Sequence, residues 1–341
     1  MKQSQTIISG TPLEPEPIED EGVEAGATAE LREVALGIAQ HGQRLDRALA
    51  EVAPEFSRSY LQQLVAAGAV RLNSVVAVKS AQRVKAGDWV KVALSPTPQS
   101  QAFVPEAIPL DVVFEDAHLL VVNKPAGLVV HPAPGNWSGT LLNGLLERDR
   151  QAAELPRAGI VHRLDKDTSG LMVVARTRQV MDVLVRMIAA REVSRQYLAL
   201  AHRPWQGTGT LRIDAPVGRD PRNRLRMAVV DLERHSGKPA RTDVEVWARC
   251  EQGALLHCTL HTGRTHQIRV HLASIGHPLV ADALYGGAPA AGMARQALHA
   301  FHLAFKHPST GQQLVFDVPL PIAMQQALAI WGLHYNQKEP D

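Results

Sequence analysis

The chain is poor in cysteine and aromatic residues and has no long apolar run. Its 341 residues include two cysteines, Cys250 and Cys258, and 4% aromatic side chains. Two cysteines without a CxxC pair make no disulfide framework and no zinc ribbon. No apolar stretch approaches the ~20 residues that span a bilayer. The opening MKQSQTIISGTPLEPEPIEDEG lacks a positive region followed by an apolar core, so no secretion signal is read there. Together these absences predict a cytoplasmic chain with no membrane partner. There is no GxxxxGK[ST] and no GxGxxG after a strand, so no nucleotide or redox cofactor is expected. His257, His261, His266 and His271 surround Cys258, but without HExxH spacing they are read as hydrogen-bonded packing, and no metal is expected.

The net charge of +2 conceals an asymmetry. Residues 1–35 hold Lys2 and Arg32 against eight acidic residues, a net of −6, which leaves +8 for the rest. A basic body fits a polyanionic partner. Residues 1–38, rich in Pro, Glu, Gly and Ala, read as a disordered arm. Residues 39–94 read as a small domain. Leu45, Ala48, Leu49 and Val52 recur at helical spacing before Pro54, and Ser57 is placed to cap a second helix ending at Gly68. Short strands follow over 70–72, 75–78 and 89–92. Residues 95–106, with three prolines, read as a linker. Residues 107–335 form the large domain. In it Thr140 caps a helix, residues 177–191 are amphipathic, and 194–202, 242–246 and 254–260 are strands. A short helix is expected over 323–331. Residues 205–243 read as an irregular basic segment able to grip a backbone.

The densest chemistry lies in HRLDKDTSGL, His162 to Leu171. Five ionisable residues fall in six positions and then feed a buried strand beginning at Leu171, a common way to mount reactive groups on a rigid element. By residue type alone, a solvated turn with incidental ion pairs describes it equally well. A glycosidase reading of Asp165 and Asp167 fails on geometry, because two carboxyls facing one bond ~5–9 Å apart come from separate elements. Asp167 is expected to cap the Thr168–Ser169–Gly170 turn.

HRLDKDTSGL resembles the signature of the RluA-type pseudouridine synthases, which isomerise uridine to pseudouridine in RNA. VVNKPAGLVVHP resembles their first motif, in which Lys124 and Pro125 would shape the cleft wall. TGRTHQIRVHL resembles their third motif, and LHA around Leu298 the last. The resemblance implies that Asp165 is catalytic, as nucleophile or base toward the sugar. Arg264 would pair with it and hold it ionised, Tyr197 would stack under the base, and Arg163 would fill the gap left by the flipped nucleotide. Leu298 would belong to the substrate pocket, and His162 would be structural. GQRLDRALAEVAPEFSRSYLQQLVAAGAVRLN, with the later VKAGDWVKV, resembles an S4-type RNA-binding domain, making Arg44, Arg47, Arg58 and Lys79 candidate phosphate contacts. The implied fold is α+β: a small S4-type domain, then a catalytic domain with a large mixed, mainly antiparallel sheet. The implied partner is RNA, bound by a monomer. The members resembled most act on the 23S rRNA stem-loop that bridges the ribosomal subunits. Other 23S uridines are the runner-up targets, and a non-catalytic RNA-binding assembly factor is the alternative of a different class.

Overall fold

In the computed structural model, residues 30–334 are described, apart from 55, 57, 95–101, 134 and 224. The chain divides into two compact units, residues 1–97 and 98–341.

The first unit is a four-stranded antiparallel sheet in the order β1-β4-β2-β3, from Glu30–Ala35 (β1), Val70–Leu72 (β2), Val75–Val76 (β3) and Trp89–Leu94 (β4). Helices Leu45–Val52 (α1) and Arg58–Ala66 (α2) pack Leu45, Leu49, Leu61 and Val65 against Val70, Val90 and Val92. Strand β1 corrects the reading of residues 30–38 as part of an arm. Composition made that stretch look unfoldable, yet main-chain pairing with β4 orders it although its side chains are mostly exposed. The rest of that arm and the cap expected at Ser57 lie outside the described residues.

Asp46, which sequence reasoning passed over, is wholly buried on α1. It accepts from Arg44 Nη2 at 3.0 Å, Arg58 Nη2 at 3.0 Å and Gln62 Nε2 at 2.6 Å. The hydrogen bonds from Arg44 hold its carboxyl well below the usual range, against the pull of burial. Two of the four arginine and lysine side chains read as free phosphate contacts therefore already have a protein carboxylate. Arg47 and Lys79 stay exposed.

The second unit is built on a nine-stranded sheet. Its strands are Val112–Glu115 (β5), Leu119–Lys124 (β6), Ser169–Ala175 (β7), Ser194–His202 (β8), Thr210–Asp214 (β9), Arg241–Arg249 (β13), Gly253–Leu260 (β14), Leu298–Lys306 (β15) and Gln313–Asp317 (β16). The order is β5-β6-β7-β15-β8-β14-β13-β9, with β16 paired to β15. Only β7 and β15 run parallel among these pairs. Every residue of β7 is buried, because the sheet is covered on both faces. Met172 and Val174 face Leu141, Leu142 and Leu145 of Leu141–Arg148 (α3). Leu171, Val173 and Ala175 face Val180, Leu184 and Met187 of Arg178–Ala190 (α4). Thr140 caps α3, accepting from Asn143 N, and Asn143 also donates to Val104 O at 2.8 Å. That contact docks residues from the end of the expected linker onto the catalytic unit.

The segment read as irregular contains β9 and a small three-stranded sheet of Val217–Arg219 (β10), Met227–Val229 (β11) and Gly237–Lys238 (β12). Its short Gly- and Pro-punctuated strands give no periodic signal. The sequence pattern also missed Gln267–Ser274 (α5), which begins within TGRTHQIRVHL, while Ile322–Ile330 (α6) falls where the terminal helix was expected.

Where the 162–168 loop enters the sheet, Gly170 pairs with Ala300 across the β7–β15 contact at φ +117. A Cβ there would fall on the Ala300 carbonyl. Gly170→Ala is expected to cost on the order of 2–4 kcal/mol, from backbone strain plus overpacking. Urea unfolding checks this, and an unchanged midpoint would refute the tight strand contact.

Candidate active site

One cleft of about 910 Å³ opens on the second unit. Its lining brings together Arg163, Asp165, Tyr197, Arg264 and Leu298, residues far apart in sequence. Asp165 is the only carboxylate in that lining, against arginines at 157, 163, 191, 195, 264 and 269.

The Asp165 loop is pinned through its main chain. The Lys166 carbonyl accepts from Gly127 N at 2.9 Å and from Lys124 Nζ at 3.0 Å. The Asp167 carbonyl accepts from Arg295 Nη1 at 2.9 Å, and the Asp165 carbonyl from Thr168 N at 3.1 Å. That last bond closes the turn, so the cap expected from the Asp167 side chain is made by the backbone instead. His162, fixed by accepting from Val173 N at 3.1 Å, is pushed down to about 3 by burial and by Arg195, and stays neutral.

Asp165 does not pair with Arg264. Its partner is Arg269, whose Nη1 lies 3.0 Å from Oδ2. Arg264 instead donates from Nε to Pro239 O at 3.1 Å, at the cleft wall. The cause is the turn into α5. His266 takes a left-handed conformation at φ 57, and Gln267 ties down the turn. The Gln267 Oε1 accepts from Thr262 Oγ1 and Arg264 N, and its Nε2 donates to Arg241 O and Thr242 Oγ1. Arg269, in the first turn of the helix, then points at the carboxylate. The same motif offers both arginines, and only recognising Gln267–Ser274 as helical separates them.

Arg269 is also held from behind. Asp282, 1% exposed, accepts from its Nε at 2.7 Å and its Nη2 at 2.8 Å, and the Tyr285 ring lies 5.0 Å from its Cζ. Burial opposes the Arg269 charge, but Asp282 and Asp165 outweigh it and leave its pKa raised. Tyr285 Oη bridges Met227 N and His266 Nδ1, and His266 Nε2 is 3.8 Å from Asp165 Oδ1. Burial lowers the pKa of His266 despite Asp165.

Tyr197 is buried in β8, and burial pushes its phenol up to about 12. Leu298, also buried, opens β15. Arg163 is exposed at the rim. The other three histidines around Cys258 have hydrogen-bond partners: His257 with Gln196, His261 with Asp243, and His271 with Thr242 and Ala215. Among the described residues no group of three or more His, Cys, Asp or Glu could hold a metal ion. No helix there is long and apolar enough to cross a membrane.

Lys124, 1% exposed, bonds Pro125 O, Leu128 O and Lys166 O at 2.8–3.0 Å. Burial drives its ammonium down to about 8, against the attraction of Asp167 and Asp165. An unfolded lysine titrates near 10.4. Below 8 both states are protonated and the penalty on folding is complete. Between the two values the unfolded chain binds more proton, so this group adds stability as pH rises. The stability of wild type relative to Lys124→Met is therefore expected to rise from about pH 7.5 to about pH 9.5. Urea unfolding at both values measures it, and a constant gap would contradict the buried cation.

Comparison with known proteins places the chain in a family. The RNA pseudouridylate synthase family model matches residues 118–274, and the S4 domain model residues 43–90. The chain is 49% identical to ribosomal large subunit pseudouridine synthase D of Nitrosomonas europaea, over 84% of each chain. It is 42% identical to the protein of that name from Escherichia coli O6:H1, over 89% of this chain and 94% of that one. Among solved structures, human RNA pseudouridylate synthase domain containing 1 aligns with a TM-score of 0.51 at 27% identity, over 63% of this chain and 84% of that chain. With its paired carboxylate in a cationic cleft and an S4 domain ahead of it, the chain belongs to the RNA pseudouridylate synthase family and is an RNA pseudouridine synthase.

Proposed function

We propose that this enzyme isomerises uridine in 23S rRNA, at the stem-loop bridging the two ribosomal subunits, acting as a monomer in the cytoplasm. The observation that carries the reading is the lone carboxylate of the cleft, Asp165, ion-paired to Arg269 and sharing that cleft with the buried Tyr197. The rRNA target is supported by the names of the relatives, which are large-subunit synthases, and the particular stem-loop by the sequence likeness.

The reaction breaks the N1–C1′ bond, turns the uracil and joins C5 to C1′, and the proton lost from C5 is matched by one gained at N1. No atoms enter from a co-reactant, so no cofactor is required. Asp165 acts at the sugar, as nucleophile at C1′ or as base. Arg269 fixes one of its oxygens by a charge-assisted hydrogen bond and leaves the other toward the cleft. Tyr197 stacks on the extruded base and keeps its proton at neutral pH, since its pKa is near 12. Leu298 closes the pocket with apolar surface, which retains the detached uracil. Arg163, at the rim, occupies the space vacated by the flipped nucleotide, offsetting the few kcal/mol of unstacking. Arg264 contacts the RNA from the cleft wall. A cleft of about 910 Å³ accommodates a single nucleotide.

Pseudouridine mapping of 23S rRNA tests the assignment, using cells that lack the gene and are complemented with wild type or Asp165→Ala. The bridge stem-loop is expected to lose pseudouridine in the deletion and regain it only with wild type. Restoration by Asp165→Ala would remove Asp165 from the chemistry, and changes confined to other uridines would move the target. In vitro, Asp282→Asn is expected to lower kcat by roughly 10- to 100-fold with KM little changed, because Arg269 loses its bidentate brace and Asp165 its alignment. Equal loss in both parameters would mean that Asp282 acts on substrate binding instead.

A further inference from the structure

The Arg195 guanidinium is the anomaly of the cleft. It sits on β8, two residues from Tyr197 and so on the same strand face. Only 6% of the residue is exposed, and it lines the cleft beside Gly263. Its Nε makes no hydrogen bond, and no carboxylate pairs with it among the described residues. A Cβ at Gly263 would come within 2.9 Å of Nη1. The TGR turn therefore presents bare backbone where the guanidinium lies. Its charge reaches its neighbours, adding to the burial that lowers the pKa of His162 and opposing the burial that raises that of Tyr197.

A desolvated cation with no counter-charge is costly, and native interiors pair such groups. Asp165, the single carboxylate of the cleft, is already bound by Arg269. The missing anion must therefore arrive with the ligand. Uracil and ribose are neutral, so in an RNA the phosphodiester is what remains, and a guanidinium fork matches its oxygens. We propose that Arg195 is the binding subsite for the phosphate flanking the extruded uridine. Its place beside Tyr197 joins that phosphate to the base-stacking position. Backbone charge thus helps draw the nucleotide out of its stack, whatever its sequence context.

The test compares wild type, Arg195→Met and Arg195→Lys on in vitro transcribed 23S rRNA across a range of KCl. Arg195→Met keeps an unbranched side chain at this strand position and removes the guanidinium with its charge. It is expected to raise KM about tenfold with kcat largely retained. It should also reduce the slope of log(kcat/KM) against log[KCl] by roughly 0.7–0.9, the loss of one phosphate contact. Arg195→Lys should keep the wild-type slope. With the unpaired charge gone, the free Arg195→Met protein should melt no lower than wild type. An unchanged salt slope would overturn the proposal, as would a fall in kcat alone. So would failure of Arg195→Met to fold, since the guanidinium would then be serving the protein's own structure.

Discussion

The site depends on one guanidinium shared between two carboxylates. Arg269 has five donors in a fixed plane. Asp282 takes Nε and Nη2 from behind, and Nη1 alone is left for Asp165. The two acids are in different situations. Asp282 is 1% exposed and gives both oxygens to Arg269, as a buried charge must if its desolvation is to be offset. The Asp165 side chain is 15% exposed and gives one oxygen. Held at one oxygen and open at the other, a carboxylate is oriented without being used up. Tyr285 completes the arrangement, with its ring against Arg269 and its hydroxyl bound to His266.

That ion triad would be useless on a mobile loop, and the main chain around Asp165 is correspondingly over-determined. Lys124 and Gly127 hold the Lys166 carbonyl, and Arg295 holds that of Asp167. Gly170 lets β7 close on β15. His299 reinforces the same junction, its Nδ1 lying 2.9 Å from Ser169 Oγ. The residues responsible come from β6, the segment before β15 and β15 itself. Sheet order therefore converts three distant stretches of sequence, around residues 124–127, 165–170 and 295–300, into one rigid mount, with α5 supplying the counter-charge.

Much of this was legible in the sequence, for identifiable reasons. The apolar run at Leu171, the 3.6-residue spacing on α1 and α4 and the cap at Thr140 are local signals, and the structure follows them. The reaction, and the cleft residues Asp165, Tyr197 and Leu298, came from motif resemblance. The partner of Asp165 did not. Arg264 and Arg269 lie five residues apart in one motif, and choosing between them requires the left-handed turn at His266, which local spacing does not announce. Asp282 and Asp46 were missed because a buried acid looks like a surface acid until its partners are located. β1 was missed because mostly exposed strands carry no hydrophobic period.

The distribution of arginines over the catalytic unit bears on how charge serves it. Of the basic residues between 205 and 243, Arg212 and Arg241 pair with Asp243, Arg226 with Asp220, and Arg234 with Asp231. Half of that segment's eight basic residues therefore already meet a protein carboxylate, two of them the same one, so their number overstates the charge offered to RNA. In the cleft, arginines 157, 163, 191, 195 and 264 have no carboxylate partner among the described residues, and only Arg269 is neutralised. A concave, low-dielectric wall focuses the field of such unpaired cations. The attraction for a polyanion is therefore concentrated at the cleft, a few residues from the one acid that a bound nucleotide would meet. Unpaired burial is unfavourable in the free enzyme, and the cost at Arg195 is relieved only when phosphate arrives. Affinity for RNA and strain in its absence are then two readings of the same missing counter-charge.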